Sequence, residues 1–381
     1  MPSPLNHEIA PLALDTTEPA SSRRREKKKQ RSLSHFIQRV QIWIMYNKRN
    51  QLLTVFILFI ISQSIHRQYQ ILSTQKHAKN ARVLLDYSNI SSLQDLKDAY
   101  EELPGAHLCF PGMKKYCKCD YPLKAKDRQG RRHWLKASHM NKERIVDMSK
   151  HKIDVVFYGD SITEGWLGTS YGFHNGRKEG SLKIFKKYFD NEKRVGIAMG
   201  ISGDTSVNLL WRMQNGELPD TLQSPIFWML IGTNDLGNTW CSPDAVVLGI
   251  LRNVLEIRKR HPGSAIVLNA LLPRSFAKNG DPYKGKKVSS KKYLPELYSA
   301  ILDINRSLKE YAENHDNVEY FDANHLFFQN GVENDIGIEH SGKKKKAVIN
   351  QELMYDFLHP SPKGYDLLGH DIAEKVNALL K

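Results

Sequence analysis

At 381 residues with 40% hydrophobic side chains, the chain can hold one large domain or two ordinary ones, and it is apolar enough to bury a core. Lys and Arg outnumber Asp and Glu by 56 to 41, a formal net charge of +15, which would suit a nucleic-acid partner. The surplus gathers in RRREKKKQR at residues 23–31 and in lysine-rich pieces at 284–292 and 343–346, without the interleaved aromatic rings that an RNA-binding surface needs, so it reads as solvated loops and nucleic acid is set aside.

Residues 1–50 are polar and basic and are expected to form a disordered cytoplasmic tail. The apolar stretch LLTVFILFIISQSI, Leu52 to Ile65, is shorter than the ~20 residues of a typical span. Lys48, Arg49 and the upstream basic cluster fit the positive-inside rule, and no small-residue cleavage site follows. Residues 51–66 are therefore expected to be an uncleaved transmembrane signal anchor of a single-pass type II membrane protein; a cleaved signal peptide or a surface or targeting helix are the alternatives. The remainder would then lie in the lumen of the secretory pathway, the Golgi for instance, or outside the cell.

Residues 67–150 are expected to be a stem and cysteine-bearing segment. SSLQDLKDAYEELPG predicts a short helix capped by Ser91 or Ser92 and stopped at Pro104-Gly105; the rest, to residue 150, carries no clear periodicity and is unassigned. All four cysteines, Cys109, Cys117, Cys119 and Cys241, follow the anchor, an even number suited to two disulfides with three connectivities open, or else reduced thiols. No histidine completes a zinc spacing. Of two glycosylation triplets, at Asn89 and Asn305, the first lies in a polar stretch and is the better placed for a glycan.

From residue 151 to 381 the texture changes. IDVVFYG, KRVGIAMG, SPIFWMLIG, SAIVLNALL and NVEYFDA read as five buried strands, and SLKIFKKYF, TSVNLLWRMQN, PDAVVLGILRNVLEIRKRH, LPELYSAILDINRSLKEYAENH and SPKGYDLLGHDIAEKVNALL as helices between and after them. Alternation of this kind predicts an α/β domain with a central parallel sheet covered on both faces. In such sheets functional groups gather outside the carboxyl ends of the strands. There the chain places Gly159-Asp160-Ser161, then GISGDTS with Gly203, then GTND with Asn234. Near the C-terminus DFLHP holds Asp356 and His359 three residues apart, on one face if the segment makes a helical turn.

Each block has a bland reading: a turn serine, a turn glycine, a helix-capping asparagine, a surface ion pair. Their joint placement after successive strands favours a nucleophile with its base, an orienting acid and oxyanion donors. Gly168-Thr169-Ser170-Tyr171-Gly172 matches the G-x-S-x-G elbow but does not directly follow an apolar strand, so Ser170 is expected to be a loop serine.

The blocks GDSITEGW, GISGDTS, GTND and DFLHP resemble those of the SGNH, or GDSL, hydrolase superfamily over roughly residues 153–381. GISGDTSVNLLWRMQNGELPD, ALLPRS and DFLHPSPKGY are most similar to the platelet-activating-factor acetylhydrolase catalytic subunits and related acetylesterases. The resemblance implies a flavodoxin-like three-layer α/β/α domain and a carboxylic ester hydrolase for short acyl groups. It implies Ser161, Asp356 and His359 as catalytic residues, an oxyanion hole from Ser161, Gly203 and Asn234, and no cofactor or metal. Those intracellular subunits lack an anchor, and basic insertions at 275–292 and 331–350 set this chain apart. The expected substrate is therefore a lumenal short-acyl ester, an O-acetylated glycan foremost, with no nucleic-acid partner, a membrane contact through the one N-terminal helix, and a homodimer left open. Acyl transfer to a sugar hydroxyl, lipid acetylhydrolysis and non-catalytic glycan binding are the alternatives.

Overall fold

The computed structural model describes residues 85–103, 108–290, 292–329 and 347–381, all within one compact unit, Leu84–Lys381. The expected tail, the candidate anchor at Leu52 to Ile65 and most of the 331–350 insertion lie outside the described residues. Among the described residues no helix is long and apolar enough to cross a membrane.

The five apolar runs become parallel strands β1 (Val155–Gly159), β2 (Arg194–Gly200), β3 (Ile226–Leu230), β4 (Ala265–Asn269) and β5 (Val318–Phe321). Their order is β5-β4-β3-β1-β2, so β1 lies between β2 and β3, with Val155 paired to both Gly196 and Ile226. This is the doubly wound order of flavodoxin-like sheets, and its switch point falls between β1 and β3. Every residue of β1 and β3 is buried, as expected of strands covered on both faces. A two-residue strand, Asp190–Asn191, turns straight back along β2 and makes the sheet mixed, not wholly parallel.

The helices form two packed sets. α4 (Ser181–Phe189) packs on α9 (Pro362–Leu379), while α5 (Ser206–Arg212), α7 (Pro243–Arg260) and α8 (Tyr298–Glu313) pack in succession. α7 shows why these segments are helical. Ser242 caps it by accepting from Ala245 N–H, Pro243 opens it, and Arg258, Lys259 and Arg260 sit in its last turn against the helix dipole. The helix expected through TSVNLLWRMQN is shorter: α5 ends at Arg212, and a π-type turn, Met213–Glu217, follows in which Gly216 takes φ 110°, a conformation that favours glycine.

The boundary expected at 150/151 does not separate two packed bodies. α1 (Leu93–Glu101) is held by a capping box, Ser92 accepting from Asp95 N–H while Asp95 accepts back, and it packs on α7. Tyr87, Ile90, Leu96, Met113 and Leu123 join the same buried cluster as the sheet. The unassigned stretch contains α2 (Arg132–Met148), whose buried stripe includes Ser138 and Asn141 beside Trp134, Ala137 and Ile145; those polar residues mask its periodicity. Cys109 pairs with Cys117, and Cys119 with Cys241, so the cysteine segment is clipped to the loop before α7. The lysine-rich 284–292 stretch, expected as a loop, is an exposed hairpin of Lys286–Ser289 against Lys292–Leu294. Asn89 is exposed, whereas Asn305 is buried and hydrogen-bonded to both polar groups of Leu271.

Candidate active site

β1 ends at Gly159, where a side chain would lie within 2.4 Å of the Leu230 carbonyl on β3, so only glycine lets the two strand ends close up. Asp160 then caps α3 (Ser161–Gly165), its Oδ1 accepting from Ile162 N–H at 2.9 Å. Ser161 is thus the first residue of a helix, where backbone N–H groups lack helical acceptors. Its Oγ lies 2.9 Å from Nε2 of His359. His359 Nδ1 in turn lies 2.7 Å from Asp356 Oδ2.

Asp356 and His359 are brought together, but not by the helical turn that was expected. Phe357 between them takes φ 59°, and Asp356 Oδ1 accepts from the backbone N–H groups of Leu358 and His359 at 3.1 and 2.8 Å. The carboxylate shapes its own loop and leaves its second oxygen for the imidazole. Burial alone would raise the Asp356 pKa, yet the hydrogen bond and charge of His359 with the two backbone donors hold it below the ordinary carboxyl value. An ionised Asp356 accepts from Nδ1–H, which leaves Nε2 as the acceptor for the Ser161 hydroxyl.

Gly203 lies in the loop after β2 at φ 77°, and its N–H makes no hydrogen bond among the described residues. Asn234 is in α6 (Thr233–Gly237), directly after β3. Asn238 Nδ2 donates to Asn234 Oδ1 at 2.7 Å and so fixes which way the amide faces. The Asn234 NH2 group donates to the Asp204 carbonyl at 2.9 Å and, at 3.3 Å, to Oδ2 of Asp160, the residue before Ser161. Ser170 stands apart: it lies in a short strand, Thr169–Ser170, and donates to Ser202 Oγ, with no hydrogen bond to a histidine among the described residues.

Three neighbours escaped sequence reading. Lys178, 2% exposed, donates from Nζ to the carbonyls of Ser161 (3.0 Å) and Thr169 (3.3 Å); burial lowers its pKa, and Glu164, Asp160 and Asp356 oppose that shift. Glu164, one turn beyond Ser161, gathers the 169–172 and 201–205 loops, with Oε1 accepting from Gly172 N–H and the Thr169 hydroxyl and Oε2 from the N–H and hydroxyl of Ser202. Arg128 donates to the Ser202 carbonyl at 2.8 Å and sits against Gly203. The only sequence signal was position: Glu164 falls three residues after Ser161 on the same short helix. Burial raises Asp160 to about 7, Ile162 N–H opposes it, and Asp204 and Asp235 add to it. Among the described residues no three or more His, Cys, Asp or Glu side chains gather as a metal site.

A sequence model of the GDSL-like Lipase/Acylhydrolase family matches residues 157–367, more than half of the chain. Platelet-activating factor acetylhydrolase IB subunit alpha1 of Bos taurus is 29% identical over 245 residues, 64% of this chain and 82% of that protein. Subunit alpha2 of Rattus norvegicus is 28% identical over 263 residues, 68% and 90%. The crystal structure of a GDSL-like lipase from Bacteroides thetaiotaomicron superposes with a TM-score of 0.42 at 20% identity, over 64% of this chain and 97% of that one. The chain belongs to the GDSL-like lipase/acylhydrolase family and is an ester hydrolase.

Proposed function

We propose that the chain removes acetyl or other short acyl groups from alcohols by a Ser-His-Asp mechanism, with O-acetylated glycans of the secretory pathway or cell exterior as its natural substrates. The hydrogen-bonded series Ser161–His359–Asp356 carries the reading. His359 Nε2 takes the Ser161 proton as Oγ attacks the ester carbonyl, and Asp356 holds the tautomer and stabilises the imidazolium. The N–H groups of Ser161 and Gly203 and the Asn234 amide take the oxyanion. As the tetrahedral intermediate collapses, the alcohol leaves with the proton from His359. Water, deprotonated by the same imidazole, then attacks the acyl-serine and releases the acid. Relatives named as acetylhydrolases support acetyl as the acyl group. The two disulfides support an oxidising compartment, with residues 51–66 as the anchor that would deliver the domain there.

The test is hydrolysis of 4-nitrophenyl esters by the purified full chain. Acetate is cleaved fastest and longer acyl chains progressively more slowly, a fluorophosphonate labels Ser161, and Ser161→Ala abolishes both without changing the melting temperature. Full turnover by Ser161→Ala would overturn the assignment. Products analysed with and without an acceptor sugar separate hydrolysis from acyl transfer.

A further inference from the structure

Gly203 opens on a cavity of about 560 Å³, a size common among small-molecule sites. We propose that this cavity is the subsite for the alcohol side of the ester and that it takes an anionic sugar, carboxylated or sulfated, with Arg128 as the residue that binds the anion. The inference rests on the esterase reading above.

The wall of the cavity comes from the segment ahead of the hydrolase sheet. The Cys119–Cys241 bridge, the Lys126 N–H bond to the Val207 carbonyl and the Asn208 amide bond to the Lys126 carbonyl lace that segment to the first turn of α5 and to the loop before α7. Arg128 lies ahead of residues 157–367, which the family model matches.

Arg128 reaches the reaction centre. A Cβ on Gly203 would lie 3.1 and 3.3 Å from its two terminal nitrogens, so the guanidinium lies against the residue whose N–H is proposed to hold the oxyanion. Two of its hydrogen bonds go to neutral groups, the Ser202 carbonyl and the Tyr171 hydroxyl. Among the described residues its one ion-pair partner is Asp204 at 3.7 Å, which already accepts from Arg212 at 2.7 Å and from the Trp134 indole. Asp204, Arg212 and Glu217 are buried to 1% exposure or less, while the Arg128 side chain is 20% exposed. The network therefore turns its cationic end to the cavity and keeps its carboxylates inside. Lys126 and Asp120 cancel as a pair; Arg131, exposed, and Asp127 also line the space, leaving one net positive charge on the wall.

The rest of the lining selects the class of alcohol. Asn238, Thr239 and Gln129 bring amide and hydroxyl groups suited to sugar hydroxyls, and the Tyr171 ring supplies a face against which a sugar ring can pack. A guanidinium fork matches a carboxylate or sulfate with two parallel hydrogen bonds.

The test compares kcat/KM on three matched substrates, mono-O-acetylated methyl glucoside, its glucuronide and its 6-sulfate, using the full chain and 4-nitrophenyl acetate as the check on the esterase reading. At least one anionic sugar is expected to exceed the neutral one by about tenfold, the equivalent of ~1.4 kcal/mol, and which one does so names the anion. That ratio should fall toward one in Arg128→Gln and in 1 M NaCl, and partly in Arg131→Gln, an exposed position that guards against misfolding as the cause. A wild-type ratio near one for both anions, with 4-nitrophenyl acetate cleaved normally, overturns this inference alone. A ratio unmoved in folded Arg128→Gln overturns it as well. Failure to cleave 4-nitrophenyl acetate overturns the esterase mechanism beneath it.

Discussion

Lys178 places its buried ammonium 3.0 Å from the carbonyl oxygen of Ser161, so the proposed nucleophile is held by its backbone as well as by its partner histidine. The same ammonium binds the Thr169 carbonyl and ties α3 to the hairpin beside it. A buried ammonium is retained only with strong acceptors, which explains why so costly a group sits under the site.

Lys178→Met should therefore misplace Ser161 without touching the substrate. Steady-state kinetics on 4-nitrophenyl acetate should show kcat reduced by about 10²-fold with KM little changed, and Lys178→Arg should recover part of the loss. Unchanged kcat in a folded Lys178→Met protein would show the contact to be structural only.

Asp356→Asn keeps the shape of the carboxylate but removes its charge. The expected loss in kcat is of order 10⁴, since the amide no longer demands a proton on Nδ1 of His359. The loop should survive, because Oδ1 still accepts from Leu358 and His359 N–H. A kcat within a factor of ten of the wild type would remove Asp356 from the mechanism.

Asn234→Ala removes one oxyanion donor and should cost 10²–10³ in kcat, order of magnitude. It also strips a hydrogen bond from the Asp204 carbonyl, so a melting curve must accompany the kinetics. A loss confined to KM would contradict the oxyanion role.

Asp160 and Asp235 are buried and form no salt bridge among the described residues, and burial pushes both up to about 7 from an ordinary 3.8. A carboxyl whose folded pKa is raised binds more protons folded than unfolded between those values, so stability falls as pH rises from about 4 to about 7. Asp356, shifted downward, loses its contribution only in more acidic solution, whereas Glu217, raised to about 7 by burial against the pull of Arg212, and Asp204, also raised by burial, act in the same direction as Asp160 and Asp235. The melting temperature should therefore be higher at pH 5 than at pH 8, by about 2–4 °C per kcal/mol. The slope should flatten in Asp235→Asn; an unchanged slope there would assign the pH dependence to other groups.

Removing the Cys119–Cys241 bridge, as a double substitution to alanine, should cost about 2–5 kcal/mol of stability. Denaturant midpoints with and without reductant test this: in reductant, which opens Cys109–Cys117 in both proteins, the wild type should fall to the midpoint of the variant measured in the same reductant. The larger functional consequence should fall on the anionic-sugar preference, because the bridge anchors the wall that bears Arg128.

The five strands were legible because each is a short apolar run bounded by turn residues, and β1 and β3 bury every side chain they carry. The ends of the first three marked Ser161, Gly203 and Asn234 for the same reason: in a parallel sheet, the residue after the last apolar position emerges at one rim. α2 was not legible, since Ser138 and Asn141 in its buried stripe look solvent-facing until the Glu217 carboxylate and the Gly200 carbonyl are seen to meet them. Cysteine count allowed three pairings, and only the approach of the 108–119 segment to the 239–242 loop selected one.

Local chemistry in the sequence thus determined the secondary structure, the strand rim and the residue types available for acyl chemistry. Tertiary structure decided which of them meet. Ser161 and His359 are 198 residues apart and touch because β1 lies in the middle of the sheet while the segment carrying His359 enters α9, which packs on α4. Asp356 reaches the same imidazole through a left-handed Phe357 and not a helix, a backbone choice that no periodicity encodes. Arg128 and Glu164 meet Ser202 from 74 and 38 residues away, while Lys178 reaches back 17 residues to the Ser161 carbonyl, and none of these spacings repeats a helix or strand period.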